Sequence, residues 1–273
     1  MRHEPTRMLL AVDIGNSTVG FGLFPDPERD DPLFTVKVPT RPFRKADAYK
    51  RVISGLIRQG LSTKKSATGP RYKLDAVLAS VVPALNRPVA EALKSASGSP
   101  PLIVGARVKS GLAFDIAQPE KVGADRIANA AAGFHRMQKP TAVVDFGTAT
   151  TITVVGKEGT FLGGAILPGI RLMQRALHSE TAKLPLIPLD RPGSALGKDT
   201  VSSIASGVIR GTAGAAESLI KDIEEELNFK LKLILTGGHA QLMSPLLKRA
   251  HILAPNLTFE GLRLIYLKTR NTP

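Results

Sequence analysis

Apolar positions along the chain gather into short runs set off by turn residues, alternating with amphipathic stretches of helical spacing. Met8 to Asp13 is an apolar run ending at Asp-Ile-Gly-Asn, which predicts a strand running into a turn. Val19 to Phe24 predicts a second strand, so Gly15, Asn16 and the residues after them form the connection of a hairpin. A third strand at Leu33 to Val38 and an amphipathic helix near Ala46 to Gln59 follow. The polar, Gly- and Pro-bearing segment Ser62 to Arg71 predicts a loop. Leu74 to Val82 predicts a buried strand stopped by Pro83, then a helix near Asn86 to Ser95 and a strand at Leu102 to Gly105.

After Pro119 the pattern begins again. A helix over Ala124 to Met137 leads to the strand Ala142 to Asp145, then Phe146-Gly147-Thr148, then a strand at Thr151 to Val155. Phe161 to Ile166 predicts a third strand, and Pro168-Gly169 opens a helix. A Pro-rich stretch at Pro185 to Pro192 precedes a long helix, roughly Thr200 to Leu227. Lys232 to Leu235 predicts a strand ending at Thr236-Gly237-Gly238, followed by a helix to about Lys248. A short strand and a helix near Leu257 to Leu267 close the chain. Leu-Leu-Ala-Val-Asp13-Ile-Gly-Asn aligns with Thr-Ala-Val-Val-Asp145-Phe-Gly-Thr, and each opens the same unit of hairpin, third strand and helix. The expected fold class is therefore α/β with two similar lobes and a cleft between them, divided as residues 1–119 and 120–273.

Each Asp-x-Gly turn carries candidate chemistry. In Asp13-Ile14-Gly15-Asn16-Ser17-Thr18-Val19-Gly20 the glycine lets backbone N–H groups approach phosphate oxygens, and Ser17 and Thr18 add hydroxyls. Asp13 at the strand end suits Mg²⁺, which prefers oxygen ligands. An ordinary hairpin with an Asx/Gly turn is the alternative. Asp145-Phe146-Gly147-Thr148-Ala149-Thr150-Thr151 is the second copy, and two such loops across a cleft would cradle the β- and γ-phosphates of a nucleotide. Thr236-Gly237-Gly238 would let ribose or adenine lie on bare backbone, or the glycines simply cap a helix. Gly123-Ala124-Asp125-Arg126 stands at a predicted helix start, where an anion is favoured. Asp125 there can accept a hydroxyl proton while Arg126 holds a carboxylate or the transferring phosphoryl; a helix-end charge and a surface ion pair are the plainer alternative. His135, His178 and His239 have no metal-ligand spacing and read as packing or surface residues.

The 273-residue chain is 43% apolar, with few aromatics and no Trp, so aliphatic side chains must fill its core. It has no Cys, which excludes disulfides, thiolate metal sites and cysteine nucleophiles and fits a cytoplasmic enzyme. There is no apolar run long enough to cross a bilayer, and Met8 to Val12 is too short for a signal-peptide core. Ten of the net fourteen positive charges come from Val36 to Lys73, with 11 Lys/Arg against Asp47 alone. Without a zinc-finger spacing or an RNA-binding aromatic motif, this stretch reads as a solvated helix and loop; a nucleic-acid partner is the alternative.

The ordered set Asp-x-Gly-Asn-Ser/Thr, Asp-Phe-Gly-Thr and Gly-Gly resembles the phosphate-1, phosphate-2 and adenosine elements of the actin, hexokinase and heat-shock chaperone superfamily, built from two ribonuclease H-like lobes of duplicated βββαβα units. Four further stretches narrow the resemblance to the type III pantothenate kinases, the Bvg accessory factor family: Ser80-Val81-Val82-Pro83, Val122-Gly123-Ala124-Asp125-Arg126, Gly163-Gly164-Ala165-Ile166-x-Pro168-Gly169-Ile170 and Gly197-Lys198-Asp199-Thr200. It runs from about Met8 to Tyr266. The resemblance implies that Asp125 accepts the proton of pantothenate's primary hydroxyl, with Gly123, Ala124, Arg126 and Thr200 in the pantothenate site. It implies that Asp13, Ile14, Gly15, Asn16, Ser17, Thr18, Val19, Gly20 and Thr148 bind ATP, and that Mg²⁺ is used. Asp145 would hold a monovalent cation, K⁺ or NH₄⁺. The family usually has Tyr seven positions before the Gly of Gly-Ala-Asp-Arg, where this chain has Ile116. The small residues Ala205, Ser206, Gly207, Gly211, Ala213, Gly214 and Ala215 suit either a dimer interface or packing within a domain, and the resemblance implies a homodimer. Another small-molecule kinase of the superfamily, or a nucleic-acid-associated regulator using residues 36–73, are the alternative functions.

Overall fold

The two halves of the repeat build two sheets of matching strand order in the structure, a computed structural model that describes residues 6–62 and 72–270. The elements of the first half are β1 (Thr6–Ile14), β2 (Thr18–Phe24), β3 (Phe34–Pro39), α1 (Ala46–Ser62), β4 (Tyr72–Ser80), α2 (Pro83–Ser97) and β5 (Leu102–Ile103). The sheet runs β3-β2-β1-β4-β5. Its centre is β1, antiparallel to β2 and parallel to β4, which explains why Met8 to Val12 is apolar at every position: both of its faces are covered. The edge strand β3 instead alternates half-buried and exposed residues. Tyr49, Ile53, Leu56 and Ile57 form the apolar face that seats α1 on this sheet. β4 ends at Ser80, short of the expected Val82, so Pro83 does not itself stop the strand. It is the first residue of α2, where its missing N–H is no loss, and α2 closes at Gly98 in the left-handed conformation.

The second half holds β6 (Ala113–Phe114), α3 (Ala124–Met137), β7 (Thr141–Phe146), β8 (Ala149–Val155), β9 (Thr160–Pro168), α4 (Ile170–Ser179), α5 (Thr200–Ala205), α6 (Gly211–Leu227), β10 (Lys232–Thr236), α7 (Ala240–Met243), β11 (His251–Leu253) and α8 (Leu257–Arg270). Its sheet runs β11-β10-β7-β8-β9-β6. Read as β9-β8-β7-β10-β11, this is the order of the first sheet, with β6 added outside β9. The α/β class with two similar lobes is thus the observed one.

The sequence expectations miss in a few places. The predicted helix of 200–227 is continuous but passes through a π-helical turn at Ser206–Arg210 between α5 and α6. The helix expected to reach Lys248 ends at Met243, followed by a 3-10 turn over Ser244–Leu246, because Pro245 cannot supply an interior helical N–H. The strand expected to reach Gly105 pairs only through Leu102 and Ile103. The loop expected within 62–71 falls, apart from helical Ser62, outside the described residues.

Packing divides the chain into two compact units: residues up to Leu112 with 117–132 and those from Asn256 onward, and 113–116 with 133–255. The repeat suggests a division after 119, whereas most of α3 and all of α8 pack with the first unit. The reason is visible in the side chains of α8. The Phe259 ring lies over β2 at Gly20 and Gly22, Tyr266 donates to Asp75 on β4 (2.6 Å), and Thr258 donates to Asn129 on α3 (2.9 Å). Gly261 is required here, since a Cβ would lie 1.9 Å from the Ala128 carbonyl oxygen. Buried Arg263 donates to the Pro27 carbonyl (3.0 Å) and to Asp30 (2.9 Å), fixing the β2–β3 loop. No helix among the described residues is long and apolar enough to cross a membrane.

Candidate active site

Hairpin β1–β2 carries the first group of candidate residues. Asp13 pairs with Gly20 and Ile14 with Val19, and Gly15-Asn16-Ser17-Thr18 make the turn. The Gly15 N–H donates to the Thr18 carbonyl (2.9 Å). Ile14 and Val19 are buried, whereas Asn16, Ser17 and Thr18 are exposed. Apolar anchors therefore fix a polar tip, as an anion-binding turn requires.

Val81 links this hairpin to Gly-Ala-Asp-Arg within the first unit. Its N–H donates to the Ile14 carbonyl (3.0 Å), and its Cγ1 would lie 3.5 Å from a Cβ on Gly123. A Cβ on Gly123 would also stand 2.5 Å from Asp125 Oδ1, so the carboxylate could not keep this position. The carboxylate folds back over bare backbone, and Oδ1 accepts the Arg126 N–H (2.8 Å). Ala124 is buried and seats the first turn of α3, leaving Asp125 and Arg126 half-buried. Burial raises the Asp125 carboxyl above the usual carboxylate range, against the lowering effect of the Arg126 N–H and guanidinium. Burial likewise lowers the Arg126 guanidinium, which Asp125 opposes. A base and a cation thus stand side by side, both partly stripped of water.

Hairpin β7–β8 repeats the construction in the second unit. Asp145 pairs with Thr151 and Phe146 with Thr150, so the turn Gly147-Thr148-Ala149 is one residue shorter than the first. The Gly169 N–H donates to the Thr148 carbonyl (3.2 Å), tying the start of α4 to this turn. Gly237, at φ +93°, fits against Asp145: a Cβ there would lie 2.2 Å from Oδ1. The His239 N–H donates to the Phe146 carbonyl (3.0 Å), and its Nδ1 lies 3.2 Å from the same oxygen. The Gly-Gly element and the second Asp-x-Gly turn are therefore one piece. Beside them opens a pocket of about 470 Å³, lined among others by Leu189, Arg191, Gly238, His239 and Leu242. Burial, with Arg171 nearby, holds the His239 imidazole below its ordinary value despite the Phe146 carbonyl.

Thr200 is exposed and opens α5 behind a capping box, in which Asp199 Oδ1 accepts the Ser202 N–H (2.8 Å). It belongs to the second unit, whereas Gly123 to Arg126 belong to the first. Among the described residues no group of three His, Asp or Glu is placed to hold a metal ion. Asp13 and Asp145 are single, half-buried carboxylates at strand ends, a donor set that fits hard cations sharing their remaining ligands with phosphate oxygens and water.

A family model for type III pantothenate kinase matches residues 9–222. The chain belongs to the type III pantothenate kinase family. A type III pantothenate kinase of Dehalococcoides mccartyi is 38% identical over 260 residues, covering 94% of this chain and 96% of the relative. Among solved structures, a Baf family protein from Campylobacter jejuni, described as a transcriptional activator, aligns over 96% of this chain and 100% of its own, with a TM-score of 0.58 and 22% identity. A ROK family glucokinase from Streptomyces griseus, solved with glucose and AMPPNP, aligns over 97% and 100%, with a TM-score of 0.51 and 16% identity. These two show the shared fold.

In this type III pantothenate kinase family member, Ile116 stands next to Gly163 of β9, its Cγ2 3.7 Å from where a Cβ would be. The nearby Phe114 ring is engaged with Phe161, centroids 5.5 Å apart. Sequence reading assigned His239 to packing or surface, and the structure puts it in the pocket wall. Its position directly after Gly-Gly was the available signal. The tie from Thr40 to the first turn had none, since 25 residues separate Thr40 from Gly15. Lys64, Lys65 and Arg71 of the basic stretch lie outside the described residues.

Proposed function

We propose that this chain transfers the γ-phosphoryl group of ATP to the primary hydroxyl of pantothenate, giving 4′-phosphopantothenate and ADP, the first step toward coenzyme A. The observation that carries this reading is the half-buried Asp125 beside Arg126 at the start of α3, joined through Val81 to the first phosphate turn. Asp125 accepts the hydroxyl proton as the new O–P bond forms and the bond from γ-phosphorus to the β–γ bridging oxygen breaks. In a loose transition state its main task is to orient the nucleophile. Arg126 neutralises charge on pantothenate's carboxylate or on the transferring group. Gly123 and Ala124 line the pantothenate site, and Thr200 adds a hydroxyl. The turn 13–20 and Thr148 bind the phosphates, and the pocket beside Gly238 and His239 accepts the adenosine.

Mg²⁺ at Asp13 and K⁺ or NH₄⁺ at Asp145 would neutralise phosphate charge. Purified protein given ATP, pantothenate, Mg²⁺ and K⁺ is expected to release ADP well above background, and replacing K⁺ by Na⁺ is expected to lower the rate. No ADP release above background in a coupled assay would overturn the reading.

The same reading implies a cytoplasmic homodimer. Gly207, Gly211 and Gly214 recur at helical spacing, are exposed and have open space around them, which supports a helix contact with a second copy. Sedimentation at micromolar concentration should give a dimer of the 29.1 kDa chain, shifted toward monomer by Gly211→Glu. A clean monomer for the unaltered protein would refute it.

A further inference from the structure

The first phosphate turn is held by a residue that no motif marks. Thr40 follows the edge strand β3 and is 1% exposed. Its Oγ1 donates to the Gly15 carbonyl (2.7 Å) and its N–H donates to the Ser17 carbonyl (3.0 Å). Arg44 in turn donates to the Pro39 carbonyl, which ties down the backbone just before Thr40.

These bonds fix the direction of two peptide planes. The only cis peptide among the described residues is Arg41–Pro42, so Gly15–Asn16 and Ser17–Thr18 are trans. In a trans peptide the C=O and the following N–H point in opposite directions. With the Gly15 and Ser17 carbonyls turned to Thr40, the N–H groups of Asn16 and Thr18 point away from it. Backbone N–H groups of a turn that point to one side form an anion-binding concavity.

We propose that Thr40 is a positioning residue for triphosphate binding: it draws two carbonyls of the first turn to one side, so that the N–H groups of Asn16 and Thr18 are presented to a phosphate. The inference rests on the ATP-binding reading of this turn, not on the identity of the phosphate acceptor. Without the hydroxyl, the Gly15 carbonyl loses a buried partner and its peptide is free to rotate. Rotation would aim a carbonyl oxygen at the anion in place of an N–H, so the penalty falls on phosphate and not on the rest of the nucleotide.

The test compares Thr40→Val, Thr40→Ser and the unaltered protein by calorimetric titration with Mg·ATP and, separately, with adenosine. Thr40→Val is expected to weaken Mg·ATP by about tenfold, a lost hydrogen bond plus a misdirected dipole, with adenosine held within about twofold. Thr40→Ser keeps the donor and should bind Mg·ATP within about threefold of the unaltered protein. Equal weakening of both ligands by Thr40→Val, no weakening at all, or a serine variant as poor as the valine one would overturn the proposal. Should the valine variant fail to fold, amide spectra of the unaltered protein decide. Inorganic tripolyphosphate should shift the Asn16 and Thr18 N–H resonances, and unmoved resonances would overturn it. Unaltered protein that binds Mg·ATP yet leaves pantothenate unphosphorylated would overturn the substrate reading alone.

Discussion

Asp125→Asn is expected to lower kcat by about 100- to 1,000-fold, with the fold and the affinity for Mg·ATP kept, because removing a positioned base costs on that order. The amide retains the shape that folds over Gly123 and still accepts the Arg126 N–H, so the loss isolates the proton acceptor from the scaffold. The pH dependence separates this from a structural effect. Burial raises the carboxyl in the folded state, so turnover should fall as pH drops through a value above the usual carboxylate range of about 3.9. Stability runs the other way. A carboxyl raised on folding favours the folded state below its unfolded pKa, and that contribution is lost as pH rises through the folded pKa. The asparagine variant, which never charges, should therefore gain stability over the unaltered enzyme between acidic and neutral pH in chemical denaturation. Near-normal kcat for the variant, or an acid limb unchanged by the substitution, would remove Asp125 from the reaction.

Gly237→Ala is expected to destabilise the second unit markedly. Its φ of +93° is unfavourable for any L side chain, and the new Cβ would lie 2.2 Å from Asp145 Oδ1 and 2.7 Å from the backbone of Phe146. The Asp145 carboxylate tip can swing aside but the Phe146 backbone cannot, so the strand end must move, at roughly 2–4 kcal/mol. The thermal midpoint should drop by several degrees, and KM for ATP should rise because Asp145 and the turn at Thr148 shift together. Gly238→Ala is the control, since nothing lies within 4 Å of its Cβ position, and its stability should stay within about 0.5 kcal/mol of the unaltered protein. Equal stability of the two variants would show that Gly237 is not the wedge between β10 and β7.

Local features of the site were legible in the sequence, and remote ones were not. Asp13 and Asp145 each end an apolar run and precede a glycine, so strand, turn and chemistry are all written within eight residues. The bounds of α3 coincide with the expected Ala124 to Met137, because Gly123 and the Lys139-Pro140 pair mark its ends. The repeat likewise foretold two similar lobes, which the structure shows as two sheets of matching order. The hold of Thr40 on Gly15 depends on β3 pairing alongside β2, a contact without any periodic trace. The strand β6 is two residues long, below what alternation can signal. The short α7 was visible in principle, since Pro245 stands in the sequence to end it.

The placement of α8 has a consequence for how the enzyme is made. On the ribosome, β1 to α2 emerge before the second unit, yet the Phe259 ring that covers Gly20 and Gly22 and the arginine that pins the β2–β3 loop are synthesised after it. The first unit therefore waits with an uncovered sheet face while the second unit, whose segments from Gly133 to Pro255 are nearly contiguous, can close ahead of it. A nascent chain halted before Asn256 would carry a finished second unit and an unfinished first one, so the half that is translated first is the half that is completed last.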